Sequence, residues 1–306
     1  MDLEVRLRLM RRSLFGWGRG VVVVGMHRSG TSAVSRLVNL LGLPLGDSRD
    51  LIEADPLSNP SGHWESSRLV AVNDRLLALL GGAWSAPPAL ESGWQRLPAV
   101  TRFRGEARWA FAATYSSGDW TWKDPRVCLT LPFWRATLSG RLTAILVVRH
   151  PLEIARSMEA RNRFPVAYTL ALWERYLRQA LAGLEGMPVL ATTYEGLLAD
   201  PFEWCSVATS FLREQGIIAR EPDPDLVRSF LDRDLRHAVL ERHDLVRHPE
   251  ASEAQVTLYD ELLGLVGRHR LFPQLRLSPE SARTEQLLAA HRRNVVEAKN
   301  ALLVPA

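Results

Sequence analysis

The sequence predicts an α/β fold, a parallel sheet flanked by helices and followed by a mainly helical C-terminal part. Three observations carry this reading. The run Val21-Val22-Val23-Val24 is β-branched and too short for a buried helix, as expected of a central strand covered on both faces. Two similar runs, Thr143 to Val148 and Met187 to Thr192, recur later. Helical periodicities lie between them, and strands that alternate with helices imply parallel pairing.

Residues 1–18 read as a solvated basic leader with Arg6, Arg8, Arg11 and Arg12. After the first strand, Gly25 to Gly30 is a turn. From Thr31 the apolar residues Ala33, Val34, Leu37, Val38 and Leu41 recur at helical spacing, and Gly42 supplies a left-handed residue to end the helix. Further helices are predicted at about 66–80, 97–114 and 129–138. Gly81 to Trp94 is rich in Gly, Pro and Trp and has no period, so it is expected to be a loop, one able to cover a site. Pro151 opens a helix after the second strand, Val166 to Leu184 is a long helix ending before Gly186, and the third strand comes next. Asp200-Pro201 joins a helix cap to a proline at the first helical position. The last helix, about 279–302, is polar with apolar positions Leu287, Leu288, Val295 and Leu302. It either packs back on the domain or meets a partner, a second copy included. This gives a leader at 1–18, a main domain at 19–275 and a C-terminal helix at 276–306, with no internal repeat.

The 306 residues carry 38 Lys+Arg against 34 Asp+Glu, and the surplus of +4 with no long run of like charge gives no footprint for nucleic acid. Of the basic residues only Lys123 and Lys299 are lysine. Cys128 and Cys205 sit in no disulfide framework and no Cys/His ligand pattern, which leads us to expect no metal and a reducing cytoplasm. No apolar stretch approaches the length of a membrane span, so a soluble chain is expected.

Gly25-Met26-His27-Arg28-Ser29-Gly30-Thr31-Ser32 comes after a strand and opens a helix, a P-loop-like context in which backbone N–H groups at the helix N-terminus cradle an anion. Both glycines and the hydroxyl of Ser32 fit the pattern G-x-x-x-x-G-K-S/T, but Thr31 occupies the lysine position. That argues against NTP hydrolysis. Arg28 is the cation within the loop.

The string Arg28-Ser29-Gly30-Thr31-Ser32 resembles the 5′-phosphosulfate loop of the sulfotransferases that use 3′-phosphoadenosine 5′-phosphosulfate (PAPS), and its arginine is most similar to tyrosylprotein sulfotransferases and bacterial relatives. Three further segments fall in the family's order. Val147-Val148-Arg149-His150-Pro151 through Ser157 resembles the 3′-phosphate motif, a strand ending in arginine with a serine eight residues on. Lys123-Asp124-Pro125 resembles the motif whose lysine stabilises the transition state, while Asp124 orients a neighbour or caps a helix. Asn59-Pro60-Ser61-Gly62-His63-Trp64-Glu65 offers two general bases: Glu65 by similarity to the tyrosylprotein enzymes, and His63 by similarity to the cytosolic type. Tyr194 to Pro201 also resembles a family segment, structural or adjacent to the adenosine. The resemblance spans about residues 20–215, and the C-terminal R-K-G clamp of cytosolic enzymes is not found in this sequence.

The resemblance implies in-line transfer of a sulfuryl group from PAPS to an acceptor hydroxyl or amine, with Arg28, Ser29, Gly30, Thr31, Ser32, Arg149 and Ser157 holding the donor and no metal required. Trp64, Trp84, Trp94 and Trp120 suggest an aromatic platform for a carbohydrate or other small-molecule acceptor. The competing readings are a P-loop small-molecule kinase and a non-catalytic PAPS- or nucleotide-binding module.

Overall fold

The computed structural model describes residues 3–53, 62–138, 140–230 and 240–303. In chain order the elements are α1 (Leu3–Phe15), β1 (Arg19–Val24), α2 (Thr31–Leu40), α3 (Ser67–Leu79), α4 (Pro98–Thr114), β2 (Trp120–Lys123), α5 (Val127–Leu138), β3 (Arg141–Val148) and α6 (Pro151–Asn162). Then come α7 (Val166–Leu184), β4 (Val189–Thr193), α8 (Tyr194–Ala199), α9 (Pro201–Glu214), α10 (Pro224–Phe230), α11 (Arg242–Arg247), α12 (Glu253–Gly264), β5 (Gly267–His269) and α13 (Ala282–Leu303).

The chain is a mixed α/β fold. Its sheet has the order β2-β1-β3-β4-β5, parallel except for the antiparallel edge strand β5. Successive residues of a strand face opposite ways, and here both faces are covered. Val21, Val23, Ile145, Val147 and Leu190 pack with α2 and α9 on one face. Val22, Val24, Ala144, Leu146, Val148 and Val189 join α4, α5 and α7 on the other. That is why the strands read as continuous apolar runs.

The predicted helices lie where the periodicity put them, and Asp200 caps α9 by accepting from the Glu203 N–H at 2.9 Å. Gly42 takes a φ of 107° just after α2, as a helix-ending glycine does. Two strands went unread. β2 is four residues long and ends on lysine, and β5 is Gly-Arg-His. Neither carries the β-branched run that marks β1, β3 and β4.

The segment expected as a solvated leader contains α1, which lies against α4. Its Arg12 is buried and donates to the carbonyls of Trp17 and Tyr115, whereas Arg6 and Arg11 are exposed. The near end of α13 packs on α7: Leu288 is fully buried, and Arg175 of α7 pairs with Glu280 and Glu285. Of the apolar positions expected on the last helix, the side chains of Val295 and Leu302 lie outside the described residues. The Gly81–Trp94 loop is held from below. Tyr176 Oη donates to the Trp84 carbonyl at 2.7 Å, Arg175 to that of Pro88 at 3.2 Å and Arg292 of α13 to that of Pro87 at 2.6 Å. Among the described residues no helix is long and apolar enough to cross a membrane.

Candidate functional site

Parallel strands deliver their C-terminal loops to one edge. Val23 of β1 pairs with Lys123 at the end of β2 and with Ile145 of β3, and Val148 at the end of β3 pairs with Thr193 at the end of β4. The loop after β1, Lys123, Arg149 and Tyr194 therefore emerge together at the carboxyl ends of the strands, where open α/β sheets bind their ligands.

In the loop, the Ser29 N–H and Oγ both donate to the Met26 carbonyl, at 3.2 and 2.7 Å. The Ser29 side chain thus holds the turn. Gly30 precedes α2 with a φ of 94°, and a Cβ there would fall 2.2 Å from Cδ2 of Tyr194. Only glycine meets both demands. The first turn of α2 presents N–H groups that have no partner within the helix, at Thr31 and Ser32, and the positive end of its dipole. Ser32 Oγ donates to the His63 carbonyl at 3.4 Å.

Arg28 Nε donates to Ser157 Oγ at 2.8 Å, which ties the loop to α6. Arg149 donates from Nη1 to the Arg28 carbonyl at 3.0 Å and from Nε to Glu153 at 2.9 Å, and its guanidinium lies 4.7 Å from the centre of the Tyr194 ring. Glu153 is buried and also accepts from the Leu240 N–H at 3.2 Å. Arg28, Arg149, Ser157 and Tyr194 thus form one continuous cluster beside the loop.

On the other side of the loop, Lys123 Nζ lies 2.5 Å from Glu65 Oε1. Ser66 fixes the carboxylate's approach: it caps α3 by accepting from the Leu69 N–H, which leaves Glu65 one residue ahead of the cap. Burial raises the Glu65 pKa, Lys123 opposes the rise, and Asp124 adds to it. Arg126 Nη1 stands 3.8 Å from Glu65 Oε2. Asp124 does not bond Lys123. It accepts from the Arg126 N–H at 2.9 Å, from Arg126 Nη1 at 3.1 Å and from Asn73 Nδ2 at 2.8 Å. Asn73 in turn accepts from Thr130 and Trp134. Asp124 is therefore a brace for the residues after β2, the structural role.

Of the residues expected from the sequence, Arg28, Ser157 and Arg149 share one cluster and Glu65 and Lys123 another, with the loop between them. His63 is half-buried next to the loop. Asn59, Pro60 and Ser61 lie outside the described residues. The four tryptophans separate: Trp120 is fully buried and Trp94 nearly so, while Trp64 and Trp84 stay partly exposed. Sequence reasoning passed over Glu153 and Asn73. The i,i+4 spacing of Arg149 and Glu153 was a usable signal for the first. Arg126 reaches Asp124 from two residues away, whereas Asn73 reaches it across 51 residues, a contact that depends on tertiary packing alone.

No family model matches the sequence, and no curated protein matches it. Among solved structures the chain is similar to the sulfotransferase domain from the curacin biosynthetic pathway, at 14% identity over 90% of this chain and 98% of that one, with a TM-score of 0.43. It is also similar to sulfotransferase STF1 from Mycobacterium tuberculosis H37Rv, at 15% identity over 86% and 82%, with a TM-score of 0.41. The sulfotransferase domain from the Synechococcus PCC 7002 olefin synthase gives 16% identity over 90% and 95%, with a TM-score of 0.40.

Proposed function

We propose that this protein is a sulfotransferase that moves the sulfuryl group of PAPS to a hydroxyl or amine of a carbohydrate or other small-molecule acceptor. The observation that carries the reading is the arrangement along one sheet edge: an anion-cradling loop, a cluster of Arg28, Ser157 and Arg149 on one side, and the Lys123–Glu65 pair on the other. It suits a donor with two separated anionic groups and one reacting centre. When bound, PAPS supplies an activated sulfuryl group on a phosphate leaving group.

The chain's own residues then have distinct tasks. Arg28 and the N–H groups of Gly30, Thr31 and Ser32 hold the 5′ end, with Ser29 bracing the turn. Arg149 and Ser157 hold the 3′-phosphate, and Tyr194 backs Arg149. Lys123 Nζ tracks the charge that builds on the leaving oxygen. Glu65 takes the acceptor proton, and its raised pKa makes it a stronger base than an ordinary carboxylate; His63 is the alternative base. We place this reaction in the reducing cytoplasm, where the buried Cys128 and Cys205 remain thiols.

Isothermal titration with 3′-phosphoadenosine 5′-phosphate (PAP) and with ATP–Mg²⁺ tests the assignment. Tight binding of PAP supports it. Tight binding of ATP–Mg²⁺ with none of PAP replaces it with the kinase reading.

A further inference from the structure

The residue ahead of Glu65 has a backbone that its own side chain disfavours. Trp64 has a φ of 56°, in the left-handed region that a bulky residue rarely enters. Such a conformation persists only where the surroundings hold it, and it gathers at functional sites. Among the described residues two other non-glycine residues share it: Arg28 in the loop after β1, and Arg163, which ends α6.

What holds Trp64 is its ring. The ring folds back over Gly62, where a Cβ would stand 3.4 Å from Trp64 Cε2. The Arg36 guanidinium of α2 lies 4.9 Å from the ring centre, and the Phe230 ring at the end of α10 meets it edge-on with centres 6.5 Å apart. Arg36 is itself held, its Nη1 donating to Asn39 at 2.5 Å. Trp64 Nε1 is shielded and has no hydrogen-bond partner among the described residues, so packing fixes the ring. The chain is pinned on either side. The His63 carbonyl accepts from Ser32 Oγ, one turn before Arg36 on α2, and the Glu65 carbonyl accepts from the Ile52 N–H at 2.8 Å. Between these two fixed points the dihedral angles of Trp64 decide where the Glu65 side chain starts.

We propose that Trp64 is a positioning residue: its ring, packed between Arg36 and Phe230, holds its own backbone left-handed and so aims the Glu65 carboxylate at Lys123 Nζ. This deepens the sulfotransferase reading and, for the role of Glu65 as base, rests on it. α2 then supports both the donor-binding turn and the base.

The test uses the full chain. Trp64→Phe keeps a ring, Trp64→Gly admits the left-handed backbone and removes the ring, and Arg36→Ala removes one wall of the ring's seat without touching Trp64. The first readout needs no substrate: the displacement of the Glu65 carboxyl titration caused by Lys123→Met, followed by carbon-13 NMR in each background. Trp64→Phe should retain most of the displacement seen in the wild-type background. In Trp64→Gly it should shrink to less than about half, with Arg36→Ala in between, because Glu65 no longer faces Lys123. The second readout is radiolabelled sulfuryl transfer from PAPS to p-nitrophenol. In Trp64→Gly kcat should fall by about tenfold or more with the PAP dissociation constant within about twofold, and in a Glu65→Gln background the same substitution should cost nothing further. A displacement as large in Trp64→Gly as in the wild type overturns the inference. So does a further loss of rate in the Glu65→Gln background, since Trp64 would then act other than through Glu65. Should Trp64→Gly fail to fold, an undiminished displacement in Arg36→Ala overturns it instead. A wild-type chain that does not bind PAP, with the displacement behaving as expected, removes the sulfotransferase reading and leaves the placement of Glu65 by Trp64 standing.

Discussion

Glu65 Oε1 and Lys123 Nζ meet at 2.5 Å across 58 residues of sequence, with both side chains almost closed to solvent. On the sulfotransferase reading proposed above, this pair sets opposite charges where the acceptor proton leaves and where negative charge builds. Glu65→Gln keeps the shape and removes the base. We expect turnover to fall by about 10²–10⁴-fold with little change in PAP affinity. Full activity in this variant would transfer the base role to His63.

The same pair sets a pH dependence. Burial raises the Glu65 pKa and Lys123 pulls it back down. A base works only when deprotonated, so kcat/KM should decline as pH falls through a value above the ordinary glutamate pKa of about 4.3. In Lys123→Met the downward pull is lost. The Glu65 carboxyl, monitored by carbon-13 NMR, should then titrate at higher pH than in the wild type. A titration at the same or lower pH would show that Lys123 is not its electrostatic partner.

The sheet and the loop after β1 were legible because each signal is local. Val21 to Val24 shows the two-faced burial of a central strand, and the glycines with Arg28 and Ser29 show the turn. The candidate residues were legible one by one, in the loop after β1, at a strand end, ahead of a helix or, for Ser157, on the helix that follows a strand. Their partners were not. Glu65 finds Lys123 because β2 lies beside β1, and β2 has too few residues to show a period. The separation of Trp120 from Trp84 has the same origin. Trp120 fills the space above Gly20, where a Cβ would stand 2.1 Å from its ring, whereas Trp84 rides on a loop. Composition makes the two look alike.

Glu153 is the positioning residue for Arg149. Its carboxylate accepts from Arg149 Nε at 2.9 Å and from the Leu240 N–H at 3.2 Å, so it aims the guanidinium and anchors the returning chain together. Arg149→Ala should weaken PAP binding by about 100-fold and Glu153→Gln by about tenfold, the range for losing and for loosening a charged hydrogen bond. Calorimetry measures both. If Glu153→Gln binds PAP as the wild type does, Arg149 is oriented by Tyr194 and the Arg28 carbonyl alone.

Gly30→Ala tests the loop's geometry. A non-glycine residue at a φ of 94° costs about 1–3 kcal/mol. The new methyl would also press on the ring of Tyr194, which backs Arg149. Lower thermal stability and weaker PAP binding are expected together. Adding Tyr194→Ala should restore part of the stability and none of the affinity, because it relieves the clash by removing the support of Arg149.

Arg175 joins three parts of the chain that the sequence treats as separate. It leaves α7, makes a two-pronged contact with Glu280 at 2.7 Å in each prong, reaches Glu285 at 2.5 Å and donates to the Pro88 carbonyl at 3.2 Å. It thereby fastens both α13 and the loop that carries Trp84. In Arg175→Met the two glutamates, each partly exposed, regain water, so the loss falls mainly on docking. We expect a destabilisation of about 1.5–3 kcal/mol, the scale of a charged hydrogen-bonded contact. Amide hydrogen exchange should rise in residues 81–94 and 282–292 and stay unchanged in β1 and β3. If exchange rises in α13 alone, the loop is held by Tyr168 and Tyr176 of α7 without Arg175.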